Sequence, residues 1–250
     1  SILFPFSRNQ LPIMPRGPIY GENTYKLHYL NEKWFDEIQT ILKQRKIDFR
    51  TELFPWLERE LNFAYYSTQL QTREASDVEA YILSLPEKER FSYQDLLFPQ
   101  IPKVGKLQES YVCYVESLIA EAEKGELQSP LMAAASVWRE ASSFISNIYR
   151  AGGFTGESHK FLDTELFGAF CRTSYGPPIE NMKKIKALMA AGIIQVQWKA
   201  SVDLTYYKEE NQFILQSKEN RENVDFIVDA RIARPNLSLS NSELYQNLWK

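Results

Sequence analysis

Gly152-Gly153-Phe154-Thr155-Gly156-Glu157-Ser158-His159 is where one long helical pattern stops and another begins. Three glycines within five positions break the run, since glycine reaches positive φ freely and lets another group approach the backbone. Thr155, with Ser158 three residues on, or Ser158 itself ahead of Phe161 and Leu162, supplies an N-cap for the next helix. Free N–H groups at such a helix start favour an anion. Two readings therefore stay open for the break. It is a binding site built from Gly152, Gly153, Thr155, Gly156, Ser158 and His159, or it is a connector in which the glycines end one helix and Thr155 starts another.

Working outward on the N-terminal side, Ser129-Pro130 is a helix start with Ser as cap and Pro in the first turn. From it Leu131, Ala134, Ala135, Trp138, Ala141, Ile145, Ile148 and Tyr149 carry an apolar stripe to the break. This reads as the central helix, and its small residues allow another helix or a ligand to lie close. Further back, Leu107, Tyr111, Tyr114, Val115, Leu118, Ile119 and Ala122 mark a helix closed by Gly125. Short helices are expected after Ser76 and Ser92, each the start of a capping box with Glu79 and Asp95. Asn31 is the expected cap for a helix through Trp34, Ile38 and Leu42, and Asp48 or Thr51 for one through Leu57, Leu61 and Ala64. Pro5, Pro12, Pro15 and Pro18 make residues 1–20 an extended segment that lies across other elements. Arg8 and Arg16 lie in it.

On the C-terminal side, Phe161 to Phe170 forms another helix. Tyr175 then leads into Gly176-Pro177-Pro178, whose last proline suits the first turn of a helix running through Met182 and Met189 to Gly192. The start of that helix is a second place where backbone N–H groups suit an anion. From Ile193 the period changes to two. Residues 202–207 and 212–216 read as a hairpin, and Phe226-Ile227-Val228 as a buried strand. The pattern is α+β: an extended segment 1–20, a mainly helical domain 21–192 of about eight helices, and a β-rich segment 193–250. A helical domain inserted into a sheet fits the same pattern.

The 250 residues are 44% hydrophobic and carry a net charge of −3, with charges of both signs interspersed. That leaves no electrostatic footprint for nucleic acid, and Lys183, Lys184 and Lys186 read as the solvated face of a helix. No apolar run approaches the ~20 residues that span a bilayer, and the first residues show no basic segment followed by an apolar one and a cleavage site, so a cytoplasmic location is expected with no membrane partner. Cys113 and Cys171 belong to no CxxC pair and lie near no histidine in sequence, so no metal site is indicated and both are expected to be buried thiols. A first residue Ser1 and an amphipathic end at 242–250 fit a fragment of a longer protein. The chain contains no Gly-x-Gly-x-x-Gly, Walker loop, Gly-x-Ser-x-Gly or His-Glu-x-x-His. Ser158 beside His159 lacks the spatial triad a nucleophile needs, and Asp163 and Glu165 fall on different helix faces. No catalytic residue is assigned.

Several motifs in order resemble bacterial FAD/NAD(P)-binding proteins, a family of mostly uncharacterised flavoprotein-like chains. They are Ser7-Arg8-Asn9-Gln10-Leu11-Pro12, Asp48-Phe49-Arg50, Tyr65-Tyr66, Ser129-Pro130-Leu131, the glycine break, Gly176-Pro177-Pro178 and Ala187 to Ile193. The resemblance covers nearly the whole chain, chiefly the helical and C-terminal region of that family. It implies a Rossmann-like FAD domain whose Gly-rich fingerprint lies before Ser1, as the missing part of the same protein, with the helical region attached to it. It also implies a strand at Val224 to Ala230 completing that domain, although Asp229-Ala230-Arg231-Ile232 departs from the Ala-Thr-Gly turn common in flavoproteins. The cofactor it implies is FAD, with NAD(P) as the second dinucleotide, in the complete protein and not in this chain alone.

Together these lines predict the substrate-side or cofactor-covering region of an FAD/NAD(P)-dependent oxidoreductase acting on an unidentified small molecule. Gly152, Gly153, Thr155, Gly156, Ser158, His159, Tyr175, Gly176 and Arg8 are its candidate binding residues. The alternative is a non-enzymatic helical interaction module, distinguished by a long apolar patch in place of a polar-lined cleft.

Overall fold

A computed structural model describes residues 2–3, 11–17, 24–196, 203–209, 211–216, 221–228, 242–244 and 247. The fold is α+β and mainly helical. Two units divide the chain, Ser1–Gln197 and Trp198–Lys250.

The first unit is assembled around α6, Pro130–Arg150, for which Ser129 accepts the Met132 N–H as N-cap with Pro130 in the first turn. Ala133, Ala134, Ala135 and Ala141 are all buried. Without long side chains there, α2, Phe54–Leu70, packs along α6 and inserts Leu57, Leu61 and Ala64 into a shared core. Truncating a leucine in such a seam costs about 2–5 kcal/mol. Residues 49–53, capped by Asp48, form a π-helical turn that runs straight into α2. Around this pair stand α1, Glu32–Leu42, capped by Asn31, then α3, Ala75–Ser84, and α4, Tyr93–Leu97. The expected capping box forms at Ser92 and Asp95 but not at Ser76. There the helix starts two residues earlier, at Ala75 with Glu74 in the cap position. Glu79 is drawn away to the Tyr29 hydroxyl and Arg59.

Beyond them, α5, Leu107–Lys124, ends at Gly125 with φ of 73°. The helix α7, Gly156–Phe161, passes through a π turn at 162–166 directly into α8, Phe167–Ser174. The last helix, α9, Ile179–Ala190, begins one residue later than the proline turn suggested, with Pro178 as the cap itself. It packs on α5 in a second core of Tyr111, Val115, Ile119, Met182, Met189, Ile194 and Val196. Lys183 and Lys186 on α9 pair with Glu123 and Glu116 on α5, both at 2.8 Å, so part of the lysine face has acidic neighbours. Cys113 is exposed and Cys171 half-buried, which corrects the expectation of two buried thiols. Cys113 sits two residues from each of Tyr111 and Val115, which face inward on α5, and so faces out.

Both ends of this helical body return to one place. The short strand β1, Ile2–Leu3, pairs in parallel with β2, Ile194–Gln195, with Ile2 opposite Ile194 and Leu3 opposite Gln195. Parallel strands need a long crossover, and the helices of the first unit are that crossover. The proline-rich segment 11–17 is extended, as its composition dictates, and buries Leu11, Pro12, Met14 and Pro15.

In the second unit β3, Asp203–Tyr207, β4, Gln212–Gln216, and β5, Arg221–Val224, form an antiparallel meander. The predicted hairpin is present, with Asn211 at φ of 50° in its turn. The predicted strand at Phe226-Ile227-Val228 is absent, and Phe226 is 90% and Val228 88% exposed. Val224 already pairs with Phe213, next to the start of β4, so the ladder runs out of partner before the apolar run begins. The late dinucleotide-domain strand expected from Val224 is therefore not formed over 225–228, and Asp229 and Ala230 lie outside the described residues.

Candidate functional site

The glycine break is fastened on both sides. Gly152 takes φ of 67° in open space, which lets the Gly153 N–H reach back to the Ile148 carbonyl at 2.9 Å. A Cβ on Gly153 would lie 2.8 Å from side-chain carbons of both Ile148 and Leu42. Ile47 then donates to the Gly153 carbonyl at 2.8 Å and accepts from the Thr155 N–H at 3.1 Å, a one-residue parallel bridge centred on Phe154. Phe154 is buried edge-on against Phe49.

The polar side chains of the break are engaged with the chain itself. Thr155 caps α7 and donates to the Ser158 hydroxyl at 2.9 Å. Ser158 Oγ, buried, accepts the Phe49 N–H at 2.8 Å. The half-buried His159 ring packs on Tyr149 with centroids 4.4 Å apart, and the Tyr149 hydroxyl donates to both carboxylate oxygens of Asp163 at 3.0 Å. Gly156 is exposed with open space around it. Asp163 and Glu165 do diverge, Glu165 reaching Arg50 at 3.5 Å.

Tyr175 and Gly176 lie elsewhere. The helical stretch 156–174 separates them from the break by roughly 27 Å at 1.5 Å per residue, so the two halves of the predicted site are not brought together. Tyr175 is exposed, whereas Gly176 is buried so tightly that a Cβ would fall 1.4 Å from the Met14 carbonyl oxygen. Segment 11–17 runs along this turn: Met14 N–H donates to Arg172 O at 3.1 Å and Arg16 N–H to Pro177 O at 3.0 Å. Arg8 lies outside the described residues.

A buried carboxylate escaped the sequence reading. Glu60 on α2 is fully buried and accepts from the Tyr25 hydroxyl at 2.6 Å and from the N–H groups of His28, Tyr29 and Leu30 at 2.8, 2.6 and 3.0 Å. Its signal was an acid three residues after Leu57 and four before Ala64, on the buried face of a helix. Glu126 holds the Tyr25 N–H at 2.9 Å and pairs with Arg139. Burial, reinforced by Glu60, drives the Tyr25 phenol far above its ordinary range. Tyr29 is pushed up to about 12 by burial and by its hydrogen bond to Glu79.

Beside this hub a groove of about 610 Å³ is lined by Tyr29, Arg59, Glu79, Arg90, Phe91 and Ser92 among others. A second, of about 740 Å³, lies against Tyr65, Tyr66, Lys88, Asp95, Glu121 and Lys124. None of the predicted site residues among the described ones lines either groove. Among the described residues no helix is long and apolar enough to cross a membrane.

The architecture defines a class, an α+β protein with a helical body closed by a parallel strand pair. Sequence comparison takes it further, although no protein-family profile matches the chain. It is 25% identical over 224 residues, 78% of its length, to an L-aspartate N-monooxygenase (nitrosuccinate-forming) of Streptomyces davaonensis. Over 228 residues, 81% of its length, it is 25% identical to nitrosuccinic acid synthase npaA of Aspergillus oryzae. These matches cover 34% and 35% of the relatives, so the chain spans about a third of their length. The chain is thus related to oxidoreductases over about four-fifths of its residues.

Proposed function

We propose that this chain is the helical, substrate-side or cofactor-covering region of an FAD-dependent oxidoreductase that oxidises the amine nitrogen of a dicarboxylic amino acid such as L-aspartate. The observation that carries the reading is the similarity to the Streptomyces davaonensis L-aspartate N-monooxygenase across 78% of the chain. The parallel pairing of β1 with β2 supports it, because a helical body whose two ends lie side by side as parallel strands is what an insertion into a larger parallel sheet looks like.

Gly153 and Gly176 do not fit a dinucleotide cradle. The space a pyrophosphate would need at Gly153 is filled by Leu42 and Ile148, and at Gly176 by Met14. The flavin therefore belongs, in this reading, to a part of the protein outside this chain, and the helical region shapes the neighbouring substrate space. The test is amino-acid-dependent oxidation of NAD(P)H by the complete protein, with nitrosuccinate formation followed by mass spectrometry. L-Aspartate should stimulate turnover and L-lysine should not. Equal stimulation by both, or stimulation by neither, in a protein that binds flavin would remove the substrate assignment.

A further inference from the structure

Among the described residues of the first unit, Glu58 is the one half-buried carboxylate with neither an ion pair nor a side-chain hydrogen bond. Two residues on, Glu60 has four donors. Glu52, Glu79, Glu121 and Glu126 each have a basic side chain, and Asp48 and Asp163 have the hydroxyls of Thr51 and Tyr149. Burial alone pushes the Glu58 carboxyl above the ordinary carboxylate range, with no cation near enough to pull it back. A charge held partly out of water without a partner costs free energy, so Glu58 calls for an explanation.

Glu58 lines the groove of about 610 Å³ beside the Glu60 hub. This groove runs between two helices. Glu58 and Asn62 stand one turn apart on α2 with Phe63 next to them, and Ile82 and Leu83 stand on α3, with Phe91 from the segment that follows it. The rings are held in place, Phe63 stacked on His28 with centroids 4.2 Å apart and Phe91 on Tyr65 at 4.0 Å. Both arginines of the groove are already engaged. Arg59 pairs with Glu79 at 2.5 Å, and Arg90 donates to the Leu85 and Leu83 carbonyls at 3.1 and 3.4 Å, at the negative end of α3. Glu87, the third acid of the lining, is exposed to solvent. What remains is a carboxylate without a counter-ion in a partly desolvated, aromatic groove.

We propose that this groove binds a primary ammonium group carried on an apolar body, with Glu58 as its counter-ion. The ammonium supplies the missing cation and three donors. Glu58 accepts one of them, and Asn62 offers Oδ1 for another, its Nδ2 being spent on the Glu58 carbonyl at 2.9 Å. Aromatic rings in the lining favour a cation over an anion, and Ile82 and Leu83 provide apolar surface for the rest of the ligand. A carboxylate on the ligand would meet three acids and no free cation. The groove is therefore a second site, separate from any seat for a dicarboxylic amino acid, and it stands without the oxidoreductase reading.

The test titrates the 250-residue chain calorimetrically with 2-phenylethylamine, with 3-phenylpropionate as the probe of opposite charge and L-aspartate as competitor. Wild type should bind the amine at least ten-fold more tightly than the carboxylate, and L-aspartate should not displace it. Glu58→Gln keeps the shape and removes the charge, and should weaken amine binding at least ten-fold. Without ligand it should melt at the same temperature as wild type or higher, because a half-buried charge without a partner is gone; that separates lost binding from lost folding. Glu87→Gln, which removes an exposed charge from the same groove, should change the affinity less than two-fold. No amine binding by wild type, equal binding by Glu58→Gln, an equal loss in Glu87→Gln or displacement by L-aspartate would each overturn the site. Because the assay contains no flavin, failure of the oxidoreductase reading leaves a positive result standing.

Discussion

The Ser158 hydroxyl accepts the backbone N–H of Phe49 at 2.8 Å, joining residues 109 apart in sequence. This bond locks the glycine break to the π turn that begins α2, and so couples the two helices on which the core is built. Ser158→Ala leaves the Phe49 N–H buried without an acceptor, at a cost of about 1–3 kcal/mol. Urea denaturation should show the midpoint falling by that free energy divided by the slope, with the slope unchanged. An unaltered midpoint would release the break from this structural role.

The glycines separate by what surrounds them. Gly176→Ala drives a Cβ to 1.4 Å from the Met14 backbone carbonyl oxygen, whereas Gly153→Ala meets the Ile148 and Leu42 side chains at 2.8 Å and the Ile148 carbonyl oxygen at 3.2 Å, and Gly156→Ala meets nothing. The expected order of thermal midpoints is Gly156→Ala equal to or above wild type, Gly153→Ala lower, and Gly176→Ala lowest. The Gly153 substitution should cost about 1–3 kcal/mol and the Gly176 substitution more. Gly156 starts a helix, so alanine there gains by restricting the unfolded chain.

Glu60 organises residues 25–30 through four donors. Glu60→Gln replaces a carboxylate by an amide that offers one acceptor oxygen and adds two donors, and should destabilise the chain by on the order of 3 kcal/mol. Amide hydrogen exchange should rise first at His28, Tyr29 and Leu30. Uniform exchange across the chain would show that the hub is not a local unit.

Alkaline pH should loosen the same region. Tyr29 titrates at about 12 in the folded chain against 10.0 unfolded, raised by burial and then by Glu79, and Tyr25 is shifted further in the same direction. A raised folded-state value means that the stability is complete below pH 10 and declines as pH rises from 10 through 12. Tyr29→Phe should flatten this decline when unfolding is followed by circular dichroism, and a profile identical to wild type would contradict it.

Much of the helical body was legible because its signals are local. Asn31, Ser129 and Thr155 cap where their spacing says, and the Leu57 and Ala134 stripes face the core they predict. What was not legible depends on distant partners. The Ser76 capping box lost because Glu79 found Tyr29 and Arg59, and the Phe226 to Val228 strand failed because β4 offers no further pairing. The break was found, but the Phe49 N–H that bonds its Ser158 hydroxyl and the Ile47 backbone that pairs with Gly153 and Thr155 come from a segment that no periodicity connects to it. The burial of Arg172 carries no motif at all, since an arginine near a helix end reads as solvated surface until segment 11–17 is laid across it.

The central claim is that this helical region belongs to a flavin-dependent oxidoreductase, and visible absorbance of the purified protein tests it most directly. The protein extended through the dinucleotide-binding part expected before Ser1 should be yellow, with flavin bands near stoichiometric with protein, while the 250-residue chain purified alongside should be colourless. A folded, extended protein that retains no flavin, and takes up none when FAD is added, would contradict the account.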